Sequence, residues 1–120
     1  MSEAYIEFNL AHRWFEAFYK GEKCWEGRPA NHKKASKLKV GDSVRLRHAN
    51  GSMVGVVAEI RPFTTFKEAL ETLPLGEVLP GIATVDEGIE VYREWYATEI
   101  DEDHPALMFR IEFDTTEEYP

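Results

Sequence analysis

Alternating hydrophobic and polar residues predict five β-strands along the chain. The alternation is clearest in residues 43–49, where Val44 and Leu46 share one face. The dipeptide Asn50-Gly51 follows directly and favours a tight hairpin turn, so the strands on either side of it are predicted to pair antiparallel. The predicted strands are residues 5–10, 23–28, 43–49, 53–60 (with Pro62 at its end) and 106–113.

Three segments have the spacing of amphipathic helices. The first covers residues 11–20 and ends at Gly21, which suits the left-handed backbone that terminates many helices. The other two each begin with a capping box, in which a threonine caps the first amides and a glutamate three residues later reaches back. They run from Thr65 to about Leu73 and from Thr84 to about Ala97, with a connection rich in Pro and Gly at 73–81.

Non-parallel strands with local helices predict an α+β fold, a curved sheet or small β-barrel with flanking helices. The 120 residues, 43% of them hydrophobic, fit a single domain over residues 1–120 with an acidic tail at about 114–120. The chain has no apolar run of about 20 residues, no signal-peptide pattern and one cysteine. These features predict a cytoplasmic protein without a membrane partner.

Charge is distributed unevenly along the chain, whose net charge is −8. Residues 20–48 contain nine Lys or Arg and three acidic residues, a net charge of +6 that leaves −14 for the remainder. Such asymmetry predicts one positive face on an acidic body. Lys33, Lys34 and Lys37 form either a solvated loop or part of a binding surface, and both interpretations stay open.

Residues 21–28 hold the most informative chemistry of the chain, because Lys23, Glu26 and Arg28 follow Gly21 within a few residues. Arginine can contact a carboxylate, a phosphate or a base edge through two N–H groups, whereas lysine is a compact charge or a titratable base. The cluster is therefore suited to a polar, planar or anionic ligand. The alternative is a plain ion pair, but surface pairs contribute only about 0–1 kcal/mol.

The spacing Gly21-x-Lys23-x-x-Glu26-x-Arg28 resembles the complete signature of the ASCH domain family, whose barrel is similar to the PUA RNA-binding domain. The resemblance covers most of the chain and continues through four further segments. These segments are Lys39-Val40-Gly41-Asp42, Phe63-Thr64-Thr65-Phe66-Lys67-Glu68, Leu79-Pro80-Gly81 and Tyr92-Arg93-Glu94-Trp95-Tyr96.

This resemblance implies binding of RNA or of a modified nucleoside in a cleft beside the barrel. Some small bacterial members of the family hydrolyse N4-acetylcytidine with a lysine, a threonine and a glutamate. The lysine corresponds to Lys23, the threonine position is Glu26 here, and Glu77 is a loose candidate for the glutamate. If the protein is an enzyme, Lys23 and Glu26 are the expected catalytic residues.

The positions of the three signature side chains follow from strand geometry. Glu26 and Arg28 share one face of a strand, so Lys23 joins them only if the chain is still turning after Gly21. We therefore predict that Lys23 lies in the turn and that the three head groups converge. Catalysis by Lys23 needs a lowered pKa, which Glu26 opposes because an opposite charge favours the ammonium form, and this favours binding over catalysis.

Other residues have two open interpretations each. Trp25 is either core or a stacking surface for a base, and Arg45 with Arg47 is either a solvated barrel face or a phosphate-contacting stripe. Tyr92 and Tyr96 fit the core of the last helix. The scattered histidines have no metal-ligand spacing, so no metal is expected. No Gly-rich loop joins a strand to a helix, and no cofactor is expected.

The sequence thus predicts an RNA- or nucleoside-binding module. Its expected ligand-binding residues are Lys23, Trp25, Glu26, Arg28, Arg45 and Arg47, with Lys33, Lys34 and Lys37 adding longer-range attraction. The alternatives are an amidohydrolase acting on an acylated nucleoside such as N4-acetylcytidine, a ribonuclease, or a protein-interaction domain with an acidic surface.

Overall fold

The structure is a computed structural model that describes residues 5–49 and 51–113. Its strands are β1 (Ile6–Asn9), β2 (Trp25–Pro29), β3 (Ser43–His48), β4 (Gly51–Phe63) and β5 (Ala106–Phe113). Its helices are α1 (His12–Tyr19), α2 (Phe66–Thr72), α3 (Leu75–Val78) and α4 (Val85–Asp101), with a 3₁₀ turn at Ala35–Lys37. None of the described helices is long and apolar enough to cross a membrane.

The five strands form one curled sheet in the order β1-β3-β4-β5-β2. The β1–β3 pair is parallel and the other pairs are antiparallel. With its four α-helices the domain is an α+β half-barrel, which confirms the predicted fold class. The predicted hairpin is present because His48 pairs with Gly51, whereas Asn50 and the acidic tail 114–120 lie outside the described residues.

The predicted bounds of β2 and β4 were wrong. The strand predicted at 23–28 begins at Trp25, because Lys23 still belongs to the turn. Strand β4, predicted at 53–60, begins already at Gly51 and runs through Pro62 to Phe63. Strand β3 pairs with β4 only as far as Val56, so the far end of β4 has one unpaired edge, where a proline is tolerated.

The connection and the last helix also differ from their predicted form. The segment 73–81 contains the short helix α3. Helix α4 continues to Asp101, but Tyr96 within it has non-helical angles (φ −138°, ψ 51°). The predicted end near Ala97 therefore falls one residue from a real break, after which the chain resumes helical form.

The sheet has a hydrophobic cluster on each side, since neighbouring residues of a strand face opposite ways. On β5, Met108 packs with helices α2, α3 and α4, whereas Phe109 packs with α1 inside the curl. The first cluster includes Trp25, Phe63, Phe66, Leu70, Leu79, Tyr92 and Met108. The second includes Phe8, Phe15, Phe18, Val44, Leu46, Val57 and Phe109.

The first prediction concerns Gly55, where strand β4 lies in close contact with β5. An added Cβ at Gly55 would lie 2.6 Å from Ile111 Cγ2 and 2.8 Å from the Glu112 carbonyl oxygen. Gly55→Ala is expected to lower the free energy of unfolding by about 1–3 kcal/mol through overpacking. Urea unfolding measures this change. The control is Gly76→Ala in α3, where the added methyl meets open space and stability should hold or rise.

Candidate functional site

A cavity of about 200 Å³ opens where the end of β1 and the start of α1 approach β2 and α4. Strands β1 and β2 are the two ends of the sheet order, so the cavity lies where the curl is not closed. Its floor contains all three charged residues of the signature, Lys23, Glu26 and Arg28. Its walls include Asn9, Trp14, Leu79, Tyr92, Trp95 and Tyr96.

The turn after α1 positions Lys23. Gly21 has the positive φ of +78° that an L side chain rarely adopts, which allows the helix to end there. The backbone N–H groups of Glu22 and Lys23 then both donate to the Ala17 carbonyl, at 3.0 and 3.1 Å. These bonds fold the segment back beneath α1, so Lys23 points inward before β2 begins.

The three head groups meet around Glu26, as predicted. Lys23 Nζ lies 3.6 Å from Glu26 Oε1, and Arg28 Nη2 lies 2.8 Å from Glu26 Oε2. Glu26 and Arg28 share a face of β2 because they are two residues apart. The side chains of Lys23, Glu26 and Arg28 are only 1%, 8% and 11% exposed. This is a buried charge cluster at the cavity floor, not a surface ion pair.

Lys23 is held on several sides. Its ammonium donates to the Val78 carbonyl and lies 5.4 Å from the Trp14 ring and 5.3 Å from the Phe18 ring. Burial lowers the pKa of Lys23 from 10.5 to about 8, although Glu26 raises it and Arg28 lowers it further. Glu26 thus opposes the lowering of the Lys23 pKa, as expected, but the loss of water around the ammonium outweighs the neighbouring carboxylate.

Arg28 connects the signature to α4. Its Nη1 donates to the Tyr96 hydroxyl at 2.9 Å, and its guanidinium lies 5.1 Å from the Phe8 ring. The backbone break at Tyr96 thus coincides with a contact to the site. The Nε atom of Arg28 is buried and has no hydrogen-bond partner among the described residues.

Tyr92 packs in the core as predicted, yet it also lines the cavity. Its hydroxyl is buried and unpaired among the described residues. Gly27 makes room for this hydroxyl, since an added Cβ there would lie 2.8 Å from it. Burial raises the pKa of Tyr92 well above its usual value, so the hydroxyl keeps its proton and can donate.

Aromatic residues of the cavity wall were not identified from the sequence. Trp14 comes from α1, while Trp95 and Tyr96 come from α4. Trp95 is 62% exposed, an unusual position for so large an apolar ring. The i, i+3, i+4 spacing of Tyr92, Trp95 and Tyr96 indicated one helical face, but did not show that this face borders a cavity.

The structure does not bring Trp25 to this cavity. Its side chain is 4% exposed and packs in the core with Phe63 and Met108. The reason is strand alternation, which places Trp25 opposite Glu26 and Arg28 across β2. The stacking interpretation of Trp25 is therefore corrected to the core interpretation.

Arg45 and Arg47 lie on β3, outside the cavity, and both face Glu7 of β1 at 3.9 and 3.2 Å. Lys34 joins them, donating to the Glu7 carbonyl at 2.7 Å. Arg47 is paired in register with Asn9, which lines the cavity. The basic residues thus form a separate patch beside the cavity mouth, while Lys33 and Lys37 are exposed.

Two further candidates from the sequence, Glu77 and Cys24, do not contribute to this cavity. Glu77 is exposed and does not line the cavity, and its carbonyl accepts from the Cys24 N–H at 2.7 Å. Burial raises the pKa of the Cys24 thiol, the opposite of what an activated nucleophile needs. Within residues 5–49 and 51–113, no group of three His, Cys, Asp or Glu side chains is placed to hold a metal ion.

The unpaired hydroxyl of Tyr92 generates the second prediction. Tyr92→Phe should leave the free energy of unfolding unchanged or raise it by up to about 1 kcal/mol, because no hydrogen bond is removed and a buried polar group is eliminated. Tyr96→Phe is the matched control, since it removes the bond to Arg28 and should lower stability by about 1 kcal/mol. Denaturant melts compare the two variants, and a loss above about 1 kcal/mol in Tyr92→Phe contradicts the prediction.

The lowered pKa of Lys23 generates the third prediction. Between pH 8 and 10.5 the unfolded chain keeps the Lys23 proton that the folded protein has released, so the free energy of unfolding rises with pH. Relative to Lys23→Met, the wild type should gain up to about 3 kcal/mol across this range. Urea unfolding at several pH values measures the difference, and parallel curves for the two proteins would refute it.

Comparison with known proteins supports the assignment of the fold. No family model matches the chain, and no curated protein matches it. The crystal structure of hypothetical protein PH0355 is 30% identical, with a TM-score of 0.81, and the match covers 92% of this chain and 100% of that one. The solution structure of protein PF0455 from Pyrococcus furiosus is 29% identical, with a TM-score of 0.73, covering 93% and 99%.

A mutant of ZmASCH from Zymomonas mobilis also has this fold, with a TM-score of 0.59 at 12% identity, covering 88% of this chain and 67% of that one. PH0355 and PF0455 are ASCH-type proteins. The identity to PH0355 extends over nearly the whole of both chains. The chain therefore belongs to the ASCH domain family and has a PUA-like half-barrel fold.

Proposed function

We propose that the protein binds RNA or a modified nucleoside, with one base in the cavity above Lys23, Glu26 and Arg28. Membership of the ASCH family suggests RNA binding or a related activity. The observation that carries the proposal is the convergence of these three buried side chains on a cavity with aromatic walls. Buried charge clusters are weak stabilising devices, so stability alone gives little reason for this one.

The size and walls of the cavity suit a single ring. Its volume of about 200 Å³ is below the ~300–1,000 Å³ of pockets for drug-sized ligands. Trp14 and Trp95 line the cavity, and proteins that bind single-stranded RNA commonly hold unstacked bases on such aromatic surfaces. A splayed base or a free nucleoside is the ligand that matches both features.

The patch of Lys34, Arg45 and Arg47 is the proposed contact for the phosphate backbone. Arg45 and Arg47 contact the Glu7 carboxylate, whereas Lys34 donates to the Glu7 main-chain carbonyl. Three cations therefore lie beside one carboxylate, and the patch has a net positive charge. It adjoins the cavity mouth through the pairing of Arg47 with Asn9. A base in the cavity would leave its flanking phosphates near this patch, which would explain positive charge on an otherwise acidic chain.

A second candidate function is hydrolysis of an acylated nucleoside such as N4-acetylcytidine. The observation in its favour is the pKa of Lys23, which at about 8 leaves roughly a tenth of the amine unprotonated at pH 7. An unprotonated amine can take a proton from water while the hydroxide adds to the acyl carbon, and can give that proton to N4 as the acyl C–N bond breaks. Glu26, in contact with Lys23, would stabilise the ammonium that forms between these two steps.

The fourth prediction separates these functions. Purified protein is titrated with single-stranded RNA, nucleosides and N4-acetylcytidine, and product formation is followed in the same samples. Lys23→Met should weaken binding at least about 10-fold, because it removes a buried cation from the cavity floor. Lys67→Met, an exposed lysine away from the cavity, is the control. Turnover of N4-acetylcytidine that Lys23→Met abolishes supports the enzyme, and binding without turnover supports the module.

The salt dependence of RNA binding tests the patch of Lys34, Arg45 and Arg47. Replacing Arg45 and Arg47 by Gln should lower RNA affinity and reduce the slope of log affinity against log salt by about 0.7 for each phosphate that the variant no longer neutralises. Nucleoside affinity should be unchanged, because neither arginine lines the cavity. Absence of binding to every RNA and nucleoside would refute the proposed function.

A further inference from the structure

The hydrogen-bonding capacity of the cavity floor indicates which edge of a ring it can accept. Glu26 has its two carboxylate oxygens in ion pairs, Oε1 with Lys23 and Oε2 with Arg28. It is the only carboxylate among the described residues that line the cavity. A ligand amine would have to share these oxygens with two cations already in place, so the floor is poorly suited to an amine.

The cavity floor has, in contrast, more hydrogen-bond donors than acceptors. A guanidinium carries five N–H donors, and Arg28 uses Nη1 on Tyr96 and Nη2 on Glu26, while its Nε is buried without a partner among the described residues. With Lys23 the cluster has a net charge of +1. Such a floor is completed by a ligand atom that accepts hydrogen bonds and carries partial negative charge.

Tyr92 is a second, independent group of this kind. Its hydroxyl is buried with no partner in the described part of the chain, although nine in ten or more buried polar groups have one. It stays protonated because burial raises its pKa. Two unpaired donors, Arg28 Nε and Tyr92 Oη, therefore belong to residues lining the same cavity.

Trp95 offers the surface on which the flat face of a ligand ring can stack. It lines the cavity with 62% of its surface exposed, directly before the backbone break at Tyr96. Tyr96 itself is occupied, since its hydroxyl holds Arg28 and its ring stacks on Phe66. Among the aromatic residues at the wall, Trp95 has the most free surface on which a ring can stack.

We propose that the cavity takes a planar ring whose inner edge carries a keto oxygen, stacked on Trp95 and accepting hydrogen bonds from Arg28 and Tyr92. This inference rests on the proposed function and narrows it from any nucleoside to those with a carbonyl at the buried edge. Uracil and hypoxanthine have such an edge where cytosine and adenine have an amine. N4-acetylcytidine has an acyl carbonyl on its N4 nitrogen, so it resembles uracil and hypoxanthine in this respect.

Matched nucleosides provide the test and the fifth prediction. Uridine is compared with cytidine, and inosine with adenosine, by calorimetry on the full chain. Within each pair the keto oxygen becomes an amine, and the neighbouring ring N–H becomes an unprotonated ring nitrogen. The keto member should bind about 10-fold or more tightly, the usual ratio for a hydrogen bond to a charged donor. Equal or tighter binding of cytidine and adenosine would overturn the inference.

Variants test the residue assignments. Tyr92→Phe should reduce the keto preference by about 3- to 10-fold, as expected for one neutral hydrogen bond, while Tyr19→Phe, outside the cavity, leaves it unchanged. Trp95→Ala should weaken all four nucleosides by about 10-fold without altering their ratio, and Trp95→Phe should restore most of the affinity. Unchanged binding in Trp95→Ala would remove Trp95 from the site.

The outcomes distinguish the inference from the function on which it rests. Nucleoside binding without a keto preference, or with a preference that Tyr92→Phe does not reduce, contradicts the inference and leaves the proposed function intact. If neither RNA nor any nucleoside binds the wild type, both are refuted.

Discussion

The ammonium of Lys23 lies among aromatic rings, a main-chain carbonyl and a carboxylate, with almost no water around it. Desolvation of such a group disfavours its charged form, and here this effect exceeds the attraction of Glu26. The surrounding structure must therefore hold the lysine in place. It does so by folding the end of α1 back through hydrogen bonds to Ala17 and by setting Val78 of α3 against the amine.

The remaining charges are arranged around this lysine. Glu26 compensates it and is compensated in turn by Arg28, whose position depends on Tyr96 in α4. Helix α4 is thus part of the site and not only of the core. The helix is interrupted at Tyr96, whose hydroxyl accepts a hydrogen bond from Arg28. Trp95, the residue before the interruption, lines the cavity with its ring. Backbone irregularities of this sort occur often at functional sites.

Most of the fold was predictable because its signals are local. The alternation at 43–49, the capping boxes at Thr65 and Thr84 and the helix end at Gly21 each depend on a few neighbouring residues. Likewise, the meeting of Glu26 with Arg28 follows from their spacing on one strand. The boundaries that were missed, such as the extension of β4 through Pro62, depend on where a partner strand stops.

The cavity walls were less predictable, because they join residues far apart in sequence. The Lys23 ammonium donates to the Val78 carbonyl where it would otherwise bind water, and Val78 lies 55 positions later in the chain. No local sequence pattern predicts that contact. The same limit applies to Trp95, because its position on the helix fits the core as well as the cavity wall, and the structure leaves it 62% exposed. The burial of Trp25, in contrast, agrees with its place on the face of β2 opposite Glu26 and Arg28.

The short link between α1 and β2 has a mechanical consequence. It is anchored at Ala17 on one side and by the Cys24–Ile111 main-chain bond on the other, so it has no slack to absorb an extra residue. An insertion into β2 that shifted its pairing by one position would exchange the two faces of the strand. Trp25 would then face the cavity, and Glu26 would lie in the hydrophobic core. The number of residues between Gly21 and Arg28 therefore matters as much as their chemical identity.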